Sequence, residues 1–149
     1  MKASRTTIKV FVADDSIVLR ERLLEMLRDM PGVEVLGCAG DGLHAIDSIR
    51  ELKPDVVILD IQMPRGTGLD VLKNVKHGGQ GPTVVVFTNF PYPQYRKRAM
   101  EFGADFFLDK TTEFEQLREL FGQFTGRHAL GPNTQPIVSY ERPNQMPGL

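Results

Sequence analysis

Five side chains have the types that phosphoryl chemistry uses: the adjacent carboxylates Asp14 and Asp15, the carboxylate Asp60, the hydroxyl of Thr88 and the ammonium of Lys110. If they converge, three carboxylates repel one another and raise one another's pKa unless a cation sits among them. Oxygen ligands of this kind suit Mg2+, which uses one or two carboxylates, keeps several waters and takes phosphate oxygens as well. Lys110 brings a compact positive charge of its own. The chemistry that draws on such a set is phosphoryl transfer to a carboxylate, giving an aspartyl phosphate, with metal and lysine neutralising the transferred charge.

Convergence depends on the elements that carry these residues. Apolar runs at 8–13, 33–38, 56–60, 83–88 and 105–109 read as strands. Val56-Val57-Ile58-Leu59 and Val84-Val85-Val86-Phe87 show no polar alternation, the mark of strands buried on both faces of a parallel sheet. Between them, 16–30, 41–52, 68–76, 93–102 and 113–124 read as helices. The inward stripe of the first is Leu19, Leu23, Met26, Leu27 and Met30, with Ser16 as its N-cap. Ala45, Ile46, Ile49 and Leu52 form that of the second, which Pro54 brings to an end. Leu69, Leu72 and Val75 face inward from the third, Ala99 and Phe102 from the fourth, which opens on Pro93. Phe114, Leu117, Leu120, Phe121 and Phe124 do so from the fifth.

Strand and helix alternating in this way predict an α/β doubly wound, five-stranded parallel sheet of flavodoxin-like order 2-1-3-4-5, with helices on both faces. In that order strands one, three, four and five are neighbours. Asp14-Asp15 follow the first, Asp60 ends the third, Thr88 ends the fourth and Lys110 follows the fifth, so all five side chains meet in one depression at the carboxyl edge.

Composition agrees with one soluble globular domain. Hydrophobic residues are 41% and charged residues 25%, and the net charge of -1 gives no basic excess for sequence-independent nucleic-acid binding. The single cysteine, Cys38, cannot form an internal disulfide and reads as a small buried strand residue. No apolar run is long enough for a membrane span, and a cytoplasmic location is expected. His44, His77 and His128 adjoin no acidic or cysteine cluster and read as solvated surface. Residues 1–125 read as the domain. The Gly- and Pro-rich residues 126–149 read as a flexible tail, in which Ile137-Val138-Ser139-Tyr140 could pack on the domain or a partner.

The chain resembles bacterial response-regulator receiver domains over about residues 7 to 125. The matching pieces are Val12-Ala13-Asp14-Asp15-Ser16, the run from Pro54 through Asp60 to Pro64, Thr88, Gly103-Ala104-Asp105 and Lys110. Asp60 to Pro64, with Gly66 and Gly68, looks most like receivers that precede a helix-turn-helix output domain. The resemblance implies Asp60 as phosphoacceptor and Mg2+ bound by Asp14, Asp15, Asp60 and the backbone carbonyl of Gln62. It implies Lys110 as the partner of the phosphoryl group, and Thr88 and Phe107 as switch residues that move inward together. Implied partners are a histidine kinase or phosphotransfer protein, an effector protein and, in the phosphorylated state, a second copy of the chain. Neither direct nucleic-acid contact nor a membrane is implied.

The expected function is a stand-alone signalling receiver, not an enzyme beyond its own phosphorylation and slow dephosphorylation. A relay or phosphate sink without an effector is a second reading, and the receiver fragment of a transcription factor a third. An unrelated flavodoxin-like binding module would have no use for Asp14, Asp15 and Lys110. The chain departs from the family at Asn89, where a small residue is usual, and at Thr111, where proline is common. Phe90 is an apolar residue at a position that tunes dephosphorylation in the family. The resemblance also makes the aromatic loop Phe90-Pro91-Tyr92-Pro93 and the basic run Arg96, Lys97 and Arg98 part of a face that binds partners.

Overall fold

The computed structural model describes residues 7–77 and 80–126. Five strands and five helices alternate along the chain: β1 (Ile8–Ala13), α1 (Ile17–Arg28), β2 (Val33–Ala39), α2 (Gly42–Leu52), β3 (Val56–Leu59), α3 (Gly68–Val75), β4 (Thr83–Thr88), α4 (Pro93–Glu101), β5 (Phe106–Asp109) and α5 (Phe114–Thr125). The strands are all parallel and form one sheet in the order β2-β1-β3-β4-β5. This is the predicted order, and the fold is flavodoxin-like.

Side chains of a strand alternate between faces, so each continuous apolar run feeds two cores. On one face Val10, Val12, Val56, Ile58, Val85, Phe87 and Leu108 pack against Leu23, Met26 and Leu27 of α1 and Leu117, Leu120 and Phe121 of α5. On the other, Phe11, Ala13, Val57, Leu59, Val84, Val86 and Phe107 pack against α2, α3 and α4 through residues such as Ile49, Leu72 and Met100. Central strands that must satisfy two helical layers have no place for a polar side chain, and hence no alternation in their sequence.

Local signals set the helix starts. Ser16 Oγ accepts from the Leu19 amide at 3.2 Å, and Asp41 Oδ1 from the His44 amide at 2.8 Å. Thr67 and Asp70 cap α3 reciprocally. The missing amide of Pro93 falls in the first turn of α4, where no intrahelical bond is lost.

Several expectations need correction. β3 stops at Leu59, so Asp60 leaves the sheet, although its amide still donates to the Ala13 carbonyl at 2.9 Å. β5 starts at Phe106 rather than Asp105. The Asp105 carboxylate instead accepts from the Val84 amide at 2.8 Å and pairs with Lys76 at 3.0 Å, closing the opposite end of β4 and β5. Leu52 is 40% exposed, because the last turn of α2 overhangs β2, which is an edge strand among the described residues. Cys38 on that edge is only half-buried. Leu19, Met30, Leu69, Phe102, Phe114 and Phe124 are partly buried and pack at the margins of the two cores. His44 and His77 are exposed, as expected. The tail at 127–149, with His128 and Ile137 to Tyr140, lies outside the described residues. No described helix is long and apolar enough to cross a membrane.

Phe87 is fully buried and meets Phe114 edge-on at 5.7 Å, joining β4 to α5. Its replacement in Phe87→Ala is expected to lower the unfolding free energy by about 3–5 kcal/mol, read from the midpoint of a urea transition with unchanged slope.

Candidate functional site

Asp14 stands one residue past β1. Its amide donates to the Ala39 carbonyl at 2.9 Å, which fixes the chain as it leaves the sheet. Its carboxylate is buried and accepts from the Ser16 amide at 2.9 Å. Asp15 is exposed beside it. Asp60, 4% exposed, stands one residue past β3, the next strand over. Carboxylate oxygens of Asp14, Asp15 and Asp60 all lie within 4.8 Å of one another.

Lys110 enters from beyond β5. Its Nζ is 2.6 Å from Asp14 Oδ2 and 3.0 Å from Asp60 Oδ2, with its side chain 7% exposed. The approach is fixed at the backbone, where the Lys110 amide donates to the Thr88 carbonyl at 2.9 Å. The Thr88 side chain is fully buried, and its Oγ1 accepts from the Phe90 amide at 3.1 Å, leaving the hydroxyl proton free for another acceptor.

The structure thus gathers Asp14, Asp15 and Asp60 and sets Lys110 against Asp14 and Asp60, while the bond of the Thr88 side chain is to the Phe90 amide. Gln62, exposed, follows in the loop after β3, and its amide reaches Asp60 Oδ1 at 3.4 Å. Phe107 is already buried, with the Arg96 guanidinium 5.6 Å from its ring centre. Asn89 is exposed, and Phe90 is 36% exposed in the loop after β4. Thr111 follows Lys110 through a trans peptide bond. Both its amide and its hydroxyl bond to Asp109 Oδ1, at 2.9 and 2.8 Å, so a side chain shapes the turn that proline shapes elsewhere.

Two supports show their role only in the packing, although Gly68 belongs to the run that resembles receivers. The Arg20 guanidinium donates to the Asp14 carbonyl at 2.6 Å from the first turns of α1. Gly68, at the start of α3, presses against the Asp60 carbonyl so closely that a Cβ would overlap it. Arginine on a helix and glycine near a turn are both common, and only the packing shows what they touch.

Burial pushes the Asp60 carboxyl up from its ordinary value; the charge of Lys110 opposes this, and the Asp14 carboxylate adds to it. One ammonium thus faces three carboxylates, a donor set of hard oxygens with spare negative charge. These residues fit a hard divalent cation such as Mg2+.

Comparison with known proteins agrees with this geometry. Residues 10–121 match the family model of the response regulator receiver domain. A protein-glutamate methylesterase/protein-glutamine glutaminase of Methanospirillum hungatei is 41% identical over 118 residues, which are 78% of this chain and 34% of that protein. The chain thus spans about a third of the length of such relatives. The response regulator domain of Thermotoga maritima CheB superposes with a TM-score of 0.71 at 30% identity, covering 85% of this chain and 99% of that one. A LuxR-family DNA-binding response regulator of Staphylococcus aureus gives 0.73 at 30% identity, covering 79% and 98%.

The electrostatics set the sign of two substitutions. With its pKa raised on folding, Asp60 costs stability as pH climbs from the ordinary carboxylate range through its folded value, because the unfolded chain ionises first. In metal-free buffer, Asp60→Asn is expected to melt a few degrees higher than the parent at neutral pH, the gain shrinking to nothing in acid. Lys110→Ala leaves Asp14 and Asp60 facing each other without a counter-charge and is expected to lose about 3 kcal/mol. Thermal melts of the three proteins across pH check both, and equal melting of parent and Asp60→Asn at pH 7 would contradict the first.

Proposed function

The chain belongs to the response regulator receiver family, and from that premise we propose that it is a phosphorylation switch whose acceptor is Asp60. The observation that carries this reading is the Lys110 ammonium bridging Asp14 and Asp60 beside Asp15 at the carboxyl edge of the sheet.

The donor is a phosphohistidine of a histidine kinase or phosphotransfer protein. A carboxylate oxygen of Asp60 attacks phosphorus, the phosphorus–nitrogen bond breaks, and its electron pair stays on the leaving imidazole. Asp14, Asp15, Asp60 and the Gln62 backbone carbonyl would hold Mg2+, which when bound supplies positive charge against the oxygens of the transferred group. Lys110 holds the Asp60 carboxylate for attack and then pairs with the phosphoryl group. The Thr88 hydroxyl donates its free proton to a phosphoryl oxygen, and that pull on the β4–α4 loop couples to Phe107 on the neighbouring strand. The signal leaves through protein contacts with an effector.

One observation favours a particular effector: the methylesterase relatives. On this second reading the receiver governs a protein-glutamate methylesterase unit. The activities named for those proteins are properties of chains about three times the length matched here.

The reading is tested with a small-molecule phosphodonor and Mg2+. The parent is expected to gain one acid-stable, base-labile phosphoryl group by mass, and Asp60→Asn none. Equal labelling of the two would overturn the assignment. Immobilised chain with beryllofluoride and Mg2+, against Asp60→Asn, is expected to retain an effector in the first case only.

The lifetime of the phosphorylated state follows from Phe90. An apolar ring in the loop after β4, on a residue whose amide is committed to Thr88, offers nothing that orients an attacking water. Loss of label after donor removal is expected to take minutes or longer with Mg2+ present, and to quicken in Phe90→Glu. A parent half-life of seconds would count against this.

A further inference from the structure

The loop after Asp60 is held at both ends. Near Asp60, the Gln62 amide reaches the carboxylate at 3.4 Å, and the Gly68 amide donates to the Ile61 carbonyl at 2.8 Å. Ile61 and Met63 are sunk into the core shared with α2 and α3, while Gln62 and Pro64 between and beyond them face out. The far part of the loop has no such anchor. Arg65 and Gly66 both run at positive φ, 53° and 102°, a path that an arginine does not take unaided.

The N-terminus of α2 holds that path. The Gly42 amide donates to the Pro64 carbonyl and the Leu43 amide to the Arg65 carbonyl, both at 3.0 Å. The Arg65 guanidinium pairs with Asp41, the cap of α2, at 3.3 Å. The contact is backbone on backbone. A Cβ at Gly42 would overlap the Gly66 carbonyl oxygen and lie 2.8 Å from the Gly66 Cα, with no flexible side chain to give way. Two orphan amides of a helix start are thus spent on a loop rather than on water or a ligand.

We propose that Gly42 is a positioning residue for Mg2+: by meeting Gly66 directly, it sets the depth of the loop that presents the Gln62 carbonyl beside Asp60. This rests on the reading of Asp60 and its neighbours as a magnesium-dependent phosphoacceptor site. Gly42 touches neither metal nor phosphoryl group, and acts through the loop alone. A bulkier residue drives the loop away from α2, and a ligand carried on that loop moves with it.

The test uses the full chain and Mg2+ alone, titrated calorimetrically at a temperature where each variant is folded. Gly42→Ala is expected to weaken Mg2+ binding by about tenfold or more, as loss of support behind a metal ligand typically does. The amides of Gln62, Met63, Arg65 and Gly66 are expected to exchange faster with solvent in the metal-free variant. Gly103→Ala is the control for a merely structural effect. Gly103 also has positive φ, 106°, and its Cβ would lie 3.3 Å from the Lys76 Cβ at the opposite end of the sheet. That variant is expected to melt lower while keeping Mg2+ affinity within about twofold of the parent. If Gly42→Ala does not fold, Leu43→Pro carries the test. It deletes the bond to Arg65 in the first helical turn, where proline is tolerated, at a side chain already 55% exposed. A several-fold loss is expected there. Parent-like Mg2+ affinity in the folded loop variant, or an equal loss in Gly103→Ala, overturns the proposal. A parent chain that binds no Mg2+ overturns the reading beneath it, and this proposal with it.

Discussion

Everything at the carboxyl edge of this sheet depends on one charge balance. Asp14 and Asp60 are buried at 2% and 4% exposure on adjacent chain segments, and two carboxylates so placed repel. Lys110, at 2.6 and 3.0 Å from the two, offsets that repulsion without making the cluster neutral. Three carboxylates against one ammonium leave negative charge that suits a hard divalent cation.

The parallel sheet supplies the means. Because β1, β3, β4 and β5 run side by side in one direction, residues just past their ends are close in space although Asp14 and Lys110 are far apart in sequence. Helices cover both faces of the sheet, and each residue of the cluster leaves its strand through a backbone bond to the neighbouring segment: Asp14 to Ala39, Asp60 to Ala13, Lys110 to Thr88. The site is therefore set by the registry of the sheet. The loop after β3 is bonded to α2 and α3, while the one after β4 carries exposed Asn89, Phe90 and Tyr92.

Much of this was legible in the residues. Unbroken β-branched runs specify strands covered on both faces, since no other setting in a soluble domain absorbs Val56 to Leu59 or Val84 to Phe87. Caps such as Ser16 and Thr67 mark helix starts because an unbonded amide is costly anywhere. Polar residues that interrupt such runs only at their ends mark the edge where the acidic cluster gathers. Burial differs from expectation where it depends on what lies beyond an element: Leu52 and Cys38 have the right types for a core but lie at or over β2, an edge strand among the described residues.

The sequence by itself determined the elements, their two-faced burial and the identity of the acidic, hydroxyl and amino groups, because each is a local matter of period, cap and residue type. Only the tertiary structure decided the contacts that set their relations. Lys110 reaches two carboxylates rather than one, Arg20 steadies the Asp14 carbonyl, and Gly42 and Gly66 meet with no room for a side chain. These follow from distances of a few ångströms between segments remote in the chain. Glycine and arginine are permitted in so many places that their type carries no message until packing gives them a neighbour.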